Sequence, residues 1–244
     1  MKKIILAALV AAALFTSCAP APAKKLVVAQ DTTFPPMEFM DDSKATVGFD
    51  VDLINEIAKE AKLDIELKSV SWDGIFAGVQ NGTYDIIISS VTITEERKAT
   101  MDFSDPYVNA GQVLVVLSGN DKDTKLEQFV GRNVGAQVNT TGSMEVEKFK
   151  GITLKAYDDI ALSFDDLINN RVEAVVIDTP VAAMYVKNPK FEGKIKIVGE
   201  PMTSEFYGIV VKKGNTELLT KINAALATLT SNGKLDELKA KWLK

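Results

Sequence analysis

Behind an apolar run at residues 4–15, short β-branched blocks alternate with segments whose apolar residues recur every three or four positions. That alternation is the pattern of an α/β protein with largely parallel sheets. LVVAQ (Leu26–Gln30) reads as the first strand. Asp50 predicts the cap of a helix whose apolar positions Ile54, Ile57, Ala58 and Ala61 share one face. Residues 65–68 predict a second strand, and Ser71 the cap of a helix carrying Ile75, Phe76 and Val79, stopped by Asn81 and Gly82. Residues 85–88 predict a third strand, in a sheet buried on both faces.

A second series of the same kind begins after QVLVVL (Gln112–Leu117). Strands are predicted at 133–136 and 153–156, with a helix over 142–148 between them. From Asp159, Ile160, Ala161, Phe164, Leu167 and Ile168 share a helical face, which Asn169 and Asn170 end. EAVVI (173–177) predicts a buried strand, then Thr179 an N-cap with Pro180 as the first helical residue. Strands at 194–198 and 207–211 follow, and two helices close the chain, the last carrying Leu235, Leu238 and Trp242. Two α/β lobes account for this order.

The first residues fall outside that plan. Lys2 and Lys3, the apolar run, and the small residues Thr16 and Ser17 before Cys18 have the order of a secretory signal. The run is too short to cross a bilayer as a stable helix. Cys18 is the only cysteine, so no internal disulfide forms. Its place directly behind a small-residue cleavage site is that of a bacterial lipoprotein acceptor, although Phe15 stands where such sites usually have Leu. An ordinary signal with an incidental cysteine fits the same residues. On the lipoprotein reading, 1–17 is a signal peptide and 18–25 a lipidated tether that holds the protein on the membrane.

Charge and composition narrow the chemistry. The chain has 28 basic and 33 acidic residues, a formal charge of −5, or −7 without Lys2 and Lys3. No basic stripe exists, so nucleic acid is not expected as a partner. Histidine is absent and no second cysteine exists, which excludes a His/Cys metal site and a histidine general base. No cofactor is expected.

Four predicted strands end in polar residues, and ligands of open α/β sheets bind outside such ends. Asp31 follows the first strand and Ser89 with Ser90 the third. Gln137 follows the strand at 133, with Asn139, Thr140 and Thr141 beyond it, and Asp178 ends EAVVI. The stretch DIIISSVTITEERKATMDFSDP (85–106) adds the hydroxyl of Thr92 and the guanidinium of Arg97. A guanidinium grips a carboxylate through two parallel hydrogen bonds. By spacing alone Arg97 equally fits an exposed turn among Glu95, Glu96 and Lys98.

Five blocks carry a resemblance: DTTFPPMEF (31–39), GFDVDL (48–53), SSVTITEER (89–97), DFSDPY (102–107) and YGIVVKK (207–213). In order and spacing they resemble the polar amino-acid binding proteins of ABC importers, solute-binding protein family 3, in its glutamine-, arginine- and lysine/histidine-binding branch. The likeness runs from residue 26 to the C-terminus. It implies a two-lobed type II periplasmic binding fold on two hinge strands, with lobe 1 over 26–112 plus 203–244 and lobe 2 over 113–202. It further implies that Arg97 binds the α-carboxylate of a free amino acid, helped by Thr92, the backbone at Ser90, and Thr140 and Thr141 from the other lobe. Asp178 then takes the α-ammonium. Phe34 and Trp72 flank the ligand side chain, Asp31 contacts its polar or cationic end, and Ser89 and Gln137 tune its recognition. Phe34 before two prolines also fits a core residue, and Trp72 a packing residue under its helix.

Two positions depart from the family pattern. Asn139 stands where a Gly usually precedes the Thr pair, and Asn tolerates left-handed backbone better than most residues. Gln137 stands where some glutamine binders carry a cation. The implied protein is not an enzyme but a monomeric carrier at the periplasm or cell surface that favours arginine or lysine over glutamine. It would deliver the ligand to an ABC permease. Amino-acid sensors for a partner receptor and cyclohexadienyl dehydratases use the same fold.

Overall fold

The computed structural model describes residues 25–243; the expected signal and Cys18 lie outside them. The first part of the chain runs β1 (Leu26–Gln30), β2 (Thr33–Phe34), β3 (Glu38–Met40), β4 (Thr46–Val47), α1 (Phe49–Ala61), β5 (Ile65–Ser69) and α2 (Ile75–Asn81). It continues through β6 (Ile86–Ile87), α3 (Glu95–Thr100), β7 (Met101–Phe103), β8 (Val108–Asn109) and β9 (Gln112–Leu117). The second part comprises β10 (Asn133–Gln137), α4 (Thr141–Glu147), β11 (Thr153–Tyr157), α5 (Ile160–Ile168), β12 (Ala174–Asp178), α6 (Thr179–Lys187) and β13 (Ile195–Val198). β14 (Phe206–Tyr207), β15 (Val210–Lys212), α7 (Thr216–Ser231) and α8 (Lys234–Trp242) complete it.

Two five-stranded sheets result, in the orders β5-β1-β6-β15-β7 and β11-β10-β12-β9-β13. They share one plan. Three parallel strands lie on one side, and an antiparallel strand from beyond a crossing between the lobes is inserted before the last. The strand order reverses between β1 and β6 in one sheet and between β10 and β12 in the other, leaving a crevice at the carboxyl end of each. The α/β class and the two lobes agree with the expectation from the sequence.

At the crossings, Ala110 N–H donates to Glu205 O (2.8 Å) and Met202 N–H to Gln112 O (2.7 Å). Gly111 permits this approach, since a Cβ there would lie 2.2 Å from Thr203 O. The first lobe's core joins Phe49, Leu53, Ile54 and Ile57 of α1 to Ile222, Leu226 and Leu229 of α7. In the second lobe Phe164 stacks on Tyr185 at 4.0 Å. The terminal helix is tied down where Trp242 Nε1–H donates to Asp52 Oδ2 (2.7 Å).

Several helix starts differ from the sequence reading. Gly48, at φ 136°, caps α1 in place of Asp50, because the first N–H groups find backbone acceptors: Phe49 N–H on Pro36 O and Asp50 N–H on Met37 O. Asp50 is thereby free to turn inward, and it is fully buried. Ser71 does not cap α2; Gly74 does, and Trp72 precedes the helix. Asp178 occupies the N-cap of α6, and Thr179, one residue inside, donates its hydroxyl to Gly111 O (2.7 Å). The predicted strand at 207–211 splits into β14 and β15, because Ser104 Oγ takes the N–H of Ile209 at 2.9 Å.

Candidate functional site

The two crevices face each other and enclose one cleft. The cavity left within it is small, about 20 Å³. Its lining brings together all eleven ligand-binding candidates: Asp31, Phe34, Trp72, Ser89, Ser90, Thr92 and Arg97 on the first lobe, and Gln137, Thr140, Thr141 and Asp178 on the second. A twelfth residue, Glu38, escaped the sequence reading. Its only signal was an acid inside the otherwise apolar FPPMEF.

Arg97 is buried rather than exposed in its turn. Thr94 starts α3, accepting Arg97 N–H on its hydroxyl (3.1 Å), which sets the Arg97 side chain inward. One guanidinium N–H donates to Thr92 O (2.9 Å) and another reaches across the cleft to Asn139 O (3.2 Å). The guanidinium carbon lies 4.9 Å from the Phe76 ring centroid and 5.8 Å from that of Trp72, within cation–π range. Burial lowers the Arg97 pKa to about 10, against the opposing pull of Asp178, Glu205 and Glu96. Arg97 therefore stays charged at neutral pH.

Asp178 is the opposite case. It ends β12 in full burial, and its Oδ1 has no hydrogen-bond partner among the described residues. Burial first, then the charge of Glu205, pushes its pKa up to about 7, while Tyr207 and Gln112 nearby lower it in part. A buried carboxylate oxygen without a donor is a costly arrangement that an ammonium group relieves.

Asp31 bridges the lobes at the far end. Gln137 Nε2–H donates to its Oδ2 (2.9 Å), Thr33 to its Oδ1 (2.9 Å), and its own N–H donates to Ser89 Oγ (2.9 Å). Burial raises its pKa despite those donors. A neighbouring groove shares Asp31 and Trp72 with the cleft and also carries Asp73, Asp158 and Asp159. Phe34 and Trp72 each fill both roles open to them. Phe34 lines the cleft and belongs to the main core cluster, and Trp72 lines it while packing edge-on against Phe76 at 5.1 Å.

The hydroxyl groups are already engaged. Thr140 donates to Gln137 O (2.7 Å) and accepts from Ser143 N–H (3.2 Å) as the cap of α4. Thr141 donates to Glu205 Oε2 (2.7 Å), accepts from Gln112 Nε2–H (3.1 Å), and stands 3.4 Å from the Thr92 hydroxyl. Neither Glu205 nor Gln112 drew attention in the sequence. Asn139 adopts φ 56° and Ser90 φ 51°, both left-handed. Ser90 N–H donates to Asp50 Oδ2 (2.8 Å), so in this state that N–H is not free for a carboxylate.

The comparisons with known proteins agree with this architecture. The "Probable histidine-binding protein" of Neisseria gonorrhoeae is 36% identical over 256 residues, covering 99% of this chain and 96% of that one. A solved ancestral arginine-binding protein bound to arginine is 43% identical with a TM-score of 0.86, covering 90% of this chain and 98% of its own. A solved ancestral arginine-binding protein bound to glutamine is 45% identical with a TM-score of 0.85, covering 89% of this chain and 97% of its own. The fold is thus the type II periplasmic binding fold. The model for bacterial extracellular solute-binding proteins, family 3, matches residues 26–244, and the chain belongs to that family.

Proposed function

We propose that the protein captures one free amino acid between its lobes, with arginine or lysine favoured over glutamine, and presents it to the permease of an ABC importer. One observation carries the reading: a buried guanidinium and a buried carboxylate with an unpartnered oxygen line the same cleft from opposite lobes. A zwitterion brings one group to each, and both pairings form only in the closed state, so the ligand stabilises closure. Arg97 meets the α-carboxylate with Thr92 and Thr141, and Asp178 the α-ammonium. Asp31, with the acidic groove outside it, favours a cationic side chain. The little room left in the closed cleft requires the lobes, 26–112 plus 203–244 and 113–202, to part for entry, bending at the two crossings. A lipid on Cys18 would hold this monomeric carrier at the periplasmic or outer face of a membrane, where the permease receives its cargo.

Thermal-shift measurements with the twenty amino acids test the reading, since a ligand at a hundredfold excess over Kd stabilises by about 2.7 kcal/mol. Arginine and lysine should give the largest shifts. A response to glutamate or cystine alone would overturn the side-chain assignment, and no response to any amino acid the whole proposal.

A further inference from the structure

Beneath the Ser89–Ser90 wall lie two carboxyl groups that the capture scheme does not use. Glu38, on β3, and Asp50, in the first turn of α1, are both wholly buried. Asp50 Oδ2 accepts Ser90 N–H (2.8 Å) and the Tyr107 hydroxyl (2.9 Å), while its Oδ1 has no donor among the described residues. Glu38 Oε1 accepts the Ser89 hydroxyl (2.9 Å), and its Oε2 lies at a longer 3.4 Å from the Ser90 hydroxyl. Both carboxyl groups converge on Ser90, Asp50 at its N–H and Glu38 towards its hydroxyl, which sets them side by side. The other titratable groups acting on them are Asp31, Tyr107 and Tyr207, none of them a cation.

Two adjacent buried carboxylates without a cation cannot both stay ionised, and a shared proton resolves the conflict. We propose that Glu38 is a positioning residue of this cleft: it holds a proton at neutral pH, donates it to Asp50, and thereby fixes the Ser89–Ser90 wall. The asymmetry follows from the contacts. Asp50 takes two close donors on one oxygen, which suits the anion, whereas Glu38 has one close donor and a carboxyl left to give. Burial, then the Asp50 charge, push the Glu38 pKa well above the usual carboxylate range; burial alone raises that of Asp50, to about 7, against the donors Ser90 and Tyr107. The left-handed Ser90 is held by Asp50, and the Ser89 hydroxyl is oriented by Glu38 so that it accepts Asp31 N–H.

The proton also sets the charge of the cleft. With Glu38 neutral, the charged lining groups are Arg97, Asp31 and Asp178, a net −1 that one cationic amino acid neutralises. An ionised Glu38 would leave a second negative charge with no partner. This part rests on the amino-acid reading; the protonation itself does not.

Infrared spectroscopy of the ligand-free protein at pH 7 tests it first. Wild type should show one more carbonyl stretch of a buried, protonated carboxyl group than Glu38→Gln, beyond the partly protonated Asp178 and Asp50 that both proteins share. Isothermal titration with arginine tests the positioning role. Glu38→Gln keeps an acceptor for Ser89 and a donor for Asp50, so its affinity should stay within about threefold of wild type, whereas Glu38→Ala should lose about tenfold or more. Identical carboxyl bands in wild type and Glu38→Gln, or a glutamine variant that binds as weakly as the alanine variant, would each overturn the proposal. Because the band is read without ligand, a failure of amino-acid binding shows itself separately.

Discussion

The two walls of the cleft are finished to different degrees. On the first lobe, Arg97 donates to Thr92 O and rests on an aromatic platform, and behind Ser89 and Ser90 stand Glu38 and Asp50, whose unpartnered Oδ1 has the Glu38 carboxyl as its neighbour. On the second lobe Asp178 is equally buried but keeps an oxygen with no donor. The difference teaches a division of labour. One wall is organised before any ligand arrives, and the other carries an electrostatic cost that the ligand's ammonium removes. A carrier that must release its cargo gains from that arrangement, because opening only restores an unfavourable state on one side.

Removing the organised side should cost most. Arg97→Ala leaves a buried ligand carboxylate without its partner, at about 3–5 kcal/mol. That is roughly two to three and a half decades of affinity by titration calorimetry. A loss of only twofold would remove Arg97 from the site.

Removing the costly side should cost binding about 2–4 kcal/mol yet stabilise the empty protein. The Asp178 pKa stands near 7 in the fold against 3.8 when unfolded. Its contribution is therefore fully present below about pH 4 and is lost as pH rises towards 7. Asp178→Asn should raise the melting temperature of ligand-free protein at pH 8 while weakening arginine binding. Lower stability at pH 8 together with unchanged binding would place the cost of the cleft elsewhere.

The same group sets a pH dependence in the wild type. Capture of an ammonium needs Asp178 ionised, so affinity should fall up to about tenfold per unit as pH drops below about 7, and level off above it. In Asp178→Asn that limb should flatten. A wild-type profile flat from pH 5 to 8 would contradict the raised pKa.

The contrast between walls also marks where the sequence was legible. The residues at strand ends, Asp31, Ser89, Ser90, Gln137 and Asp178, were visible because apolar runs stop at them, and the topology puts every such end on one cleft. Asn139 was readable too, as a residue able to stand in for glycine at positive φ. The supports were not. Asp50 and Asp52 look alike in GFDVDL, yet one turns inward to Ser90 and the other outward to Lys241, a choice made by packing and by the backbone caps from Pro36 and Met37. The small sheet β2-β3-β4 has strands of two or three residues, too short for any period to show. Ser104 acts as a surrogate backbone partner at the break between β14 and β15, and no local pattern announces that.

The aromatic platform gives a smaller effect. Phe76→Leu keeps the apolar volume under the guanidinium but removes the ring face, and should weaken arginine binding by about 0.5–1 kcal/mol, the range of an exposed to partly desolvated cation–π contact. Calorimetry should show the loss for every amino acid alike, since the ring acts through Arg97. A loss confined to cationic side chains would put the ring against the ligand instead.

The smallest expected effect belongs to Glu205, whose carboxylate sits between the two walls. It accepts the Thr141 hydroxyl at 2.7 Å and acts on both charged groups, favouring the charge on Arg97 and opposing it on Asp178. At a pH where Arg97 is charged and Asp178 already ionised, neither influence changes the charge states that capture needs. Glu205→Gln preserves an acceptor for Thr141 and deletes only the charge, and arginine affinity at pH 8 should change by less than about threefold. Asp178, freed of its neighbour's repulsion, should then ionise at lower pH, so the acidic limb of the binding profile should shift downward while its plateau stays. A tenfold loss on the plateau would mean that Glu205 touches the ligand directly, and the second lobe would no longer be the wall with a single unmatched charge.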